Sequence, residues 1–276
     1  MNDLIYSYLK QLKQKNIPNP ELDLRILIKE SLFEKKDITL SNVEIKNINL
    51  NFLKKLINKR LNRVPISKII KKKDFWKSEF FVNSSVLDPR PETEFIIEEV
   101  LNNIENKNKD YKILDIGTGS GCLAISLAEE LKNSNITAID ISKRALKVAE
   151  KNIISHKLSN RIKLKLLDFK NIKSKFDIII SNPPYINHKE YKELQLEVRK
   201  YEPKIALLGG KNGLKFYKMF AKKIEKNMYK NSLFICEIGH SQLDDCIKIF
   251  SKTNLILKNI TKDLHKIDRT LTFFNI

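Results

Sequence analysis

The spacing of apolar residues changes along the chain, and these changes divide it into three parts. In the first part, apolar residues such as Leu4, Tyr8, Leu9 and Leu12 recur at helical spacing. Short helices joined by polar loops are typical of a small bundle, so we expect a helical domain over residues 1–74. This part carries no set of residues suited to catalysis. We therefore interpret it as a docking or substrate-recognition domain.

The second part, residues 75–90, alternates aromatic and polar side chains and predicts a β-hairpin or an extended linker. We interpret the run Lys71-Lys72-Lys73 just before it as a solvated loop rather than a phosphate contact. At the end of this part, Asp88-Pro89-Arg90-Pro91 stops any regular element. The acidic residues that follow Pro91 predict the start of a helix.

In the third part, residues 91–276, short apolar stretches alternate with amphipathic ones. This alternation predicts an α/β domain with a mainly parallel sheet covered by helices on both faces. The last two apolar stretches lie close together, which favours a final antiparallel hairpin. The predicted strands are Lys112–Ile116, Asn135–Ile139, Arg161–Leu166, Phe176–Ser181, Leu233–Glu237, Leu255–Ile260 and Thr270–Phe274. The predicted helices include Gly121–Leu131, Lys143–His156, Leu214–Lys226 and Gln242–Phe250.

Composition narrows the class of protein without deciding the function. No apolar run approaches the roughly 18 residues of a membrane span, and the first residues do not resemble a secretory signal. Cys122, Cys236 and Cys246 lie far apart with no histidine cluster nearby, which indicates reduced thiols and no metal site. We expect a cytoplasmic protein with no membrane partner.

The net charge of +19 is compatible with nucleic-acid binding, since clustered cations displace counterions from phosphates. However, the chain is rich in Lys, Asn and Ile throughout, as is typical of AT-rich genomes. It has no separate basic tail. The charge therefore does not require a nucleic-acid partner.

A glycine-rich loop follows the first predicted strand of the third part, in the order Gly117-Thr118-Gly119-Ser120-Gly121. Glycines let the backbone turn sharply and approach a ligand closely. The spacing differs from the GxGxxG of dinucleotide folds. Asp115, just before the glycines, would repel a phosphate but suits a cationic amino-acid group. S-adenosylmethionine carries a sulfonium and an ammonium and no phosphate.

Acidic residues stand at the ends of the next two strands. Asp140 can accept hydrogen bonds from ribose hydroxyls, as in dinucleotide folds, so NAD is a competing ligand at this position. Asp168 can accept from an adenine amino group, and Phe169 offers an aromatic face. Either acid alone could be a helix cap or part of a turn. Together with the glycine loop, at three successive strand ends, they predict a cofactor site.

The tetrapeptide Asn182-Pro183-Pro184-Tyr185 follows the fourth predicted strand. Its prolines end the strand and hold the carbonyls rigidly. The Asn182 side-chain oxygen and the Pro183 carbonyl can both accept hydrogen bonds from one NH2 group, and Tyr185 offers a ring for stacking. The tetrapeptide therefore predicts methylation of a planar amide or amino nitrogen by positioning and preorganised dipoles, without a metal.

These motifs identify a resemblance over essentially the whole chain to the bacterial release factor glutamine methyltransferases. That family modifies the glutamine of the Gly-Gly-Gln (GGQ) loop in peptide chain release factors. The stretch Arg90-Pro91-Glu92-Thr93-Glu94 separates it from the ribosomal protein glutamine methyltransferases. The resemblance implies a seven-stranded Rossmann-like class I methyltransferase sheet, S-adenosylmethionine as cofactor and S-adenosylhomocysteine as product.

The resemblance also implies roles for individual residues. Arg90 and Glu92 would line the entrance of the site, or anchor its loop through a salt bridge. The chain departs from the family by lacking a glycine at 71–73 and another near Lys77, which affects the hairpin. The implied cofactor residues are Gly117, Thr118, Gly119, Ser120, Gly121, Asp140, Phe169 (a tryptophan in some relatives) and Asn182. Asp168 joins them because of its position at a strand end, as argued above. The substrate-binding candidates are Asn182, Pro183, Pro184, Tyr185, Arg90 and Glu92, and the catalytic candidates are Asn182, Pro183 and Tyr185.

Four alternatives remain open at this point. Another protein glutamine, as in a ribosomal protein, or the exocyclic amine of a nucleobase could be the acceptor. A base in duplex DNA would have to be flipped, and the N-terminal part looks small for recognising the surrounding sequence. A non-catalytic RNA-binding protein would show salt-dependent binding and no turnover. A nicotinamide-dependent dehydrogenase is disfavoured by Asp115 and by the glycine spacing.

Overall fold

The computed structural model describes residues 3–34 and 37–276, so Met1, Asn2, Lys35 and Lys36 of the predicted helical domain lie outside the described residues. The α-helices are α1 Asp3–Gln14, α2 Pro20–Ser31, α3 Leu50–Leu61, α4 Ile66–Ile70, α5 Glu94–Asn103, α6 Cys122–Glu130, α7 Lys143–Ser155, α8 His188–Glu193, α9 Leu196–Tyr201, α10 Lys215–Lys223 and α11 Leu243–Phe250. The strands are β1 Lys72–Phe75, β2 Ser78–Phe81, β3 Lys112–Ile116, β4 Asn135–Asp140, β5 Ile162–Leu166, β6 Phe176–Ser181, β7 Met228–Glu237, β8 Ile256–Lys262 and β9 Asp268–Asn275.

The chain forms two compact units, and the smaller one is discontinuous in sequence. It combines residues 1–72 with residues 195–201, and residues 73–194 and 202–276 form the larger unit. The helix α9 therefore belongs to the smaller unit although it follows the tetrapeptide in sequence. The assignment of the predicted domains to substrate recognition and catalysis stays a prediction.

The smaller unit has an aliphatic core and one buried ionic cluster. Ile5, Leu24, Leu27 and Ile57 are among its fully buried residues, which explains the helical spacing of apolar residues in this part. The Arg60 side chain is only 4% exposed. Its Nε donates to Asp23 Oδ2 over 2.6 Å, and its Nη1 donates to Glu197 Oε1 of α9 over 2.9 Å. A buried guanidinium needs such partners, because an uncompensated buried charge is strongly destabilising.

The larger unit is built on a seven-stranded sheet in the order β5-β4-β3-β6-β7-β9-β8. The strands from β5 to β7 pair in parallel, whereas β9 is antiparallel to both β7 and β8. The prediction of a seven-stranded methyltransferase sheet is confirmed, and so is the final antiparallel hairpin. The predicted strands and helices lie within a few residues of the observed ones, except that β7 begins at Met228, five residues early.

Successive strand residues alternate between two cores, one on each face of the sheet. Ile113 and Ile178 point to the face that carries α5 and α6, and their neighbours Leu114 and Ile179 point to the face that carries α10 and α11. All four residues are at most 1% exposed. Burial on both faces explains why these strands are almost purely apolar in sequence.

The hairpin begins earlier than its sequence pattern indicates. Lys71 ends α4 in a left-handed conformation with φ 61°, and Lys72 and Lys73 are already part of β1. The interpretation of this lysine run as a solvated loop is therefore wrong. In β1 only Phe75 is buried, and Lys72 and Lys73 are half-buried, so the charged residues of this strand gave no apolar pattern to detect. The turn of the hairpin lies between Phe75 and Ser78, where Trp76 has φ 55°.

The described part of the chain contains no helix with both the length and the apolar character needed to cross a membrane.

Candidate active site

An open cavity of about 210 Å³ lies in the larger unit where the carboxyl ends of β3, β4, β5 and β6 meet. The chain moves outward from β3 to β4 and β5 and then returns to β6 on the other side of β3. Parallel sheets bind ligands at such a reversal of strand order, because the loops diverge there and leave a crevice. The glycine loop, both predicted acids and the tetrapeptide contribute residues to its wall: Gly117–Ser120, Asp140, Asp168, Phe169 and Asn182–Pro184.

The three glycines of the loop all have positive φ, but they serve different contacts. A Cβ on Gly117 would have no heavy atom within 4 Å, and one on Gly119 would meet only a loop carbonyl at 3.9 Å. These two positions therefore leave open space above the loop. A Cβ on Gly121 would lie 3.3 Å from the Cβ of Ala149 in α7. Gly121 does not line the cavity, and its role in the structure is helix packing.

Asp140 connects the glycine loop to the end of β4. Its Oδ2 accepts the backbone N–H of Gly119 over 3.0 Å, and its Oδ1 accepts the N–H of Ser142 over 2.8 Å. Burial raises the pKa of Asp140, and the two backbone donors oppose that shift. Asp140 lines the cavity, and a carboxylate can accept more than one hydrogen bond on each oxygen, so the group is suited to receive a ligand hydroxyl.

Asp115 lies behind the glycine loop and does not line the cavity. The side chain is buried, and its Oδ2 accepts the hydroxyl of Thr118 over 2.6 Å. Its Oδ1 has no hydrogen-bond partner in the described part of the chain. Burial raises the pKa of Asp115 to about 7. The structure thus gives this acid a role in shaping the loop, and any effect on a bound cation acts through Thr118 and the loop backbone.

Asp168 and Phe169 reach the cavity from the end of β5. Asp168 also caps a short 3-10 turn by accepting the N–H of Lys170 over 2.9 Å. Phe169 is buried against Phe220 of α10, with ring centroids 5.5 Å apart in an edge-on arrangement. The aromatic side chain is therefore held in place by the core while it lines the cavity.

The tetrapeptide is held by glycines that lie far from it in sequence. A Cβ on Gly209 would come within 2.6 Å of the Pro184 carbonyl oxygen and 2.8 Å of the Tyr185 Cα. A Cβ on Gly213 would collide with the Tyr185 carbonyl oxygen. A parallel bridge between Ile186 and Leu208 brings these segments together. Only glycine permits such a close approach of two backbones.

A hydrogen-bonded chain of side chains joins the tetrapeptide to a buried carboxylate. Asn182 Nδ2 donates to the hydroxyl oxygen of Thr93 over 2.8 Å, and the Thr93 hydroxyl donates to Glu237 Oε2 over 2.6 Å. The Tyr185 hydroxyl donates to the other oxygen, Glu237 Oε1, over 3.0 Å. Asn182 Oδ1 accepts no hydrogen bond from the described residues, so it is available to a ligand in the cavity.

Glu237 and Tyr185 strongly influence each other's protonation. Burial raises the pKa of Glu237, which is 1% exposed, to about 7, although the hydroxyls of Thr93 and Tyr185 favour its charged form. The negative charge of Glu237, together with burial, raises the pKa of Tyr185 well above its usual value. Tyr185 does not line the cavity of about 210 Å³, and its ring lies instead beside Gly239.

The two residues expected at the entrance lie in different surroundings. Arg90 lines the cavity, and its Nη2 donates to both carboxylate oxygens of the buried Glu202, over 2.7 and 2.8 Å. Arg90 thus lines the cavity and also forms a salt bridge, and its role at the entrance of the site stays a prediction. Glu92 is half-buried and does not line the cavity. In this stretch, the residue that contacts the tetrapeptide is Thr93.

Sequence reasoning did not single out Thr93, Glu237, Gly209 and Gly213. Glu237 does carry the signal that drew attention to Asp140, because it is an acid directly after an apolar strand. All seven glycines of the chain lie in the loop 117–121, in 209–213 or at 239. In so glycine-poor a chain, that distribution marks the segments where the backbone is crowded.

Comparison with known proteins identifies the chain as a relative of methyltransferases. Residues 92–199 match the family described as "Methyltransferase small domain". The crystal structure of a tRNA m1G37 methyltransferase from M. jannaschii superposes with a TM-score of 0.52 at 18% identity, over 74% of this chain and 56% of that one. Likeness at this identity shows the fold alone.

Two curated relatives cover nearly the whole chain. The "Bifunctional methyltransferase" of Rickettsia bellii (strain RML369-C) is 36% identical over 95% of this chain, which spans about half, 52%, of that protein. The "Release factor glutamine methyltransferase" of Buchnera aphidicola subsp. Baizongia pistaciae (strain Bp) is 36% identical over 97% of this chain and 96% of that protein. The chain therefore belongs to the release factor glutamine methyltransferase family.

Proposed function

We propose that the protein transfers a methyl group from S-adenosylmethionine to the side-chain amide nitrogen, N5, of the glutamine in the GGQ loop of peptide chain release factors. The observation that carries the proposal is the position of Asn182 in the cavity wall. Its Oδ1 is available beside Pro183, and both residues share one cavity with the glycine loop and Asp140. Family membership supports the choice of glutamine as the acceptor.

The cavity wall fits S-adenosylmethionine. Open space above Gly117 and Gly119 leaves room for the ligand, and the fixed carboxylate of Asp140 can accept the ribose hydroxyls. Asp168 and Phe169 suit the amino group and the flat face of adenine. Thr118, Ser120 and Asn182 complete the proposed contacts. Gly121 contributes indirectly, by letting α7 approach the loop.

The chemistry assigned to the protein is positioning. S-adenosylmethionine, when bound, would supply a methyl group on a positively charged sulfur. Asn182 Oδ1 and the Pro183 carbonyl would accept the two N–H bonds of the glutamine amide and hold its nitrogen in line with that methyl carbon. The transfer would form a C–N bond and break the C–S bond, whose electron pair would stay on sulfur, and the nitrogen would release one proton to solvent water. Fixed dipoles in a partly dry site stabilise the developing charge.

We assign the release factor as the partner and the smaller unit as the part that recognises it. We also place the reaction in the cytoplasm, where release factors act. Neither the membrane nor nucleic acid is required by this assignment.

A labelling experiment tests the proposal. The full chain is incubated with S-adenosylmethionine labelled in the methyl group and, in separate reactions, with a release factor, ribosomal protein and nucleic acid. We expect label in the release factor and none in a release factor whose GGQ glutamine is replaced by alanine. Label in nucleic acid alone would refute the proposal. Asn182→Ala should reduce turnover far more than cofactor affinity, and equal losses would make Asn182 chiefly a cofactor contact.

A further inference from the structure

We propose that Thr93 and Glu237 are positioning residues for the methyl transfer. Their hydrogen bonds hold the Asn182 side chain in the orientation that presents its oxygen, and not its nitrogen, to the substrate. The inference rests on the proposed function, because it assigns to Asn182 Oδ1 the task of accepting an N–H of the glutamine.

The direction of each hydrogen bond follows from the chemistry of the groups. An ionised carboxylate can only accept, so the Thr93 hydroxyl proton must point to Glu237. The Thr93 oxygen is then left to accept from Asn182, and of the two ends of that amide only Nδ2 can donate to it. A side-chain amide turned over by 180° would place Oδ1 against the Thr93 oxygen. Two acceptors facing each other over 2.8 Å would repel.

Glu237 controls the other end of the tetrapeptide by the same logic. Its second oxygen accepts the Tyr185 hydroxyl, so one carboxylate sets the side chains of both Asn182, through Thr93, and Tyr185. These two residues are the first and last of the tetrapeptide. A single buried group thereby fixes the amide acceptor and the aromatic ring relative to each other.

Burial makes this network hard to replace. Thr93 and Glu237 are 3% and 1% exposed, so water has little access to substitute for a lost bond. Such a network holds atoms more rigidly than the backbone alone. The ends of β6 and β7 are already paired through Ser181 and Cys236. Strand pairing therefore does not need the hydrogen bonds among Thr93, Asn182 and Glu237. What these bonds determine is the orientation of the Asn182 side chain at the cavity.

The charges around Glu237 leave its ionisation finely balanced. Burial raises its pKa to about 7, and Glu92 in the 3-10 turn before α5 adds negative charge. Arg269 of β9 opposes both effects. The thiol of Cys236 and the Tyr217 hydroxyl, which donates to the Glu237 carbonyl, complete the surroundings. A proton on Oε2 would let Glu237 donate to Thr93, and the Thr93 hydroxyl could then donate to Asn182 and accept its amide in the reverse orientation.

The test compares Thr93 variants with a matched control in the same unit. Thr93→Val removes the hydroxyl at nearly constant volume, and Thr93→Ala removes it without adding a methyl group that could clash. Thr272→Val is the control, since the Thr272 hydroxyl donates to another buried carboxylate, Glu99, over 2.7 Å and outside the cavity. All variants are assayed as the full chain with labelled S-adenosylmethionine and a release factor.

We expect both Thr93 variants to lower kcat by roughly 10- to 100-fold, because a misdirected amide loses alignment with the reacting nitrogen. The dissociation constant of S-adenosylmethionine, measured calorimetrically, should change much less than kcat, because only one proposed cofactor contact, Asn182, is disturbed while those of the glycine loop and Asp140 are kept. Thr93→Ser, which keeps the hydroxyl, should recover most of the loss. Thr272→Val should lower the melting temperature without a comparable loss of kcat.

Each contrary outcome has a distinct meaning. If wild type labels release factor but Thr93→Ala or Thr93→Val keeps its kcat, the positioning role is wrong and the proposed function stands. The positioning role is equally wrong if Thr93→Ser does not restore turnover, or if Thr272→Val loses as much kcat as the Thr93 variants. If wild type labels no release factor, the proposed function fails first and the inference falls with it.

Discussion

Gly119 donates its backbone N–H to the Asp140 carboxylate over 3.0 Å, which joins the glycine loop to the end of the next strand. The two residues are 21 positions apart, and each is constrained by the other. The contact holds the loop at a fixed distance from the acid that we assign to the ribose. Cofactor affinity should therefore depend on Asp140 in two ways. Asp140 would bind the ribose directly, and it holds the glycine loop in place.

Asp140→Ala should weaken binding of S-adenosylmethionine by roughly 10- to 100-fold, as expected for losing hydrogen bonds to a charged group. Isothermal titration calorimetry measures the change. Asp110→Ala is the control, because Asp110 is an exposed acid in the same unit that accepts from Asn135 at the far ends of the strands. Equal effects of the two substitutions would remove Asp140 from the cofactor site.

Gly119→Ala and Gly121→Ala should separate ligand binding from packing. Both glycines have positive φ, so either alanine costs about 1 kcal/mol of stability from backbone strain alone. At Gly121 the new Cβ also meets Ala149, and we expect a total loss of about 2 kcal/mol in the free energy of unfolding. At Gly119 the Cβ enters the open space above the loop, so cofactor affinity should fall more than stability.

Chemical denaturation and calorimetric titration of the two glycine variants provide the comparison. The assignment of open space to the cofactor would be wrong if Gly119→Ala bound S-adenosylmethionine as tightly as wild type. A larger loss of stability in Gly119→Ala than in Gly121→Ala would contradict the packing role of Gly121.

Turnover should fall as pH drops through about 7. Burial raises the pKa of Glu237 from 4.5 to about 7, and the hydrogen-bond directions require its ionised form. The active state is thus populated above pH 7 and lost below it. The measurement is kcat/KM against pH, which reports the free enzyme.

Glu237→Gln tests whether Glu237 causes this fall in activity at low pH, the acidic limb of the pH profile. The variant should be less active and should lack the limb, since it has no carboxyl to protonate. Asp115 also has a pKa raised to about 7, so a limb that persists in Glu237→Gln would point to Asp115. A flat wild-type profile between pH 6 and 8 would contradict the role given to the Glu237 charge.

Lys71→Gly should stabilise the protein by about 1 kcal/mol, because Lys71 occupies a left-handed conformation that glycine adopts without steric cost. The resemblance to the family already placed a glycine in this region. Lys73→Gly is the matched control, since Lys73 lies in β1 and a glycine there should destabilise. Thermal unfolding of the two variants gives the comparison, and a lower melting temperature for Lys71→Gly would refute the prediction.

Much of the sheet could be predicted because its strands are local patterns. An apolar run such as Phe176–Ser181, followed by Asn-Pro-Pro-Tyr, identifies a buried strand and its end without knowledge of the fold. The acids Asp140 and Asp168 were found in the same way. Each signal lies within a few residues of the element that it marks.

The network behind the tetrapeptide could not be predicted, because it depends on strand order. Thr93 and Glu237 are 144 positions apart and meet only because the fold packs α5, which begins next to Thr93, against β7, which ends at Glu237. Family likeness marks the stretch Arg90–Glu94, but it implies roles for the charged Arg90 and Glu92 and none for Thr93. The short helices α8 and α9 are polar and half-exposed, so their sequence has little periodicity to detect.

The discontinuity of the smaller unit has a consequence for synthesis on the ribosome. Asp23, one partner of the buried Arg60, is synthesised before it. Glu197, the other partner, is synthesised only after more than a hundred further residues have been added. At ordinary elongation rates that interval is on the order of ten seconds. During this time Arg60 has Asp23 as an ionic partner but lacks Glu197. We expect them to acquire full protection from proteolysis only once α9 has left the exit tunnel.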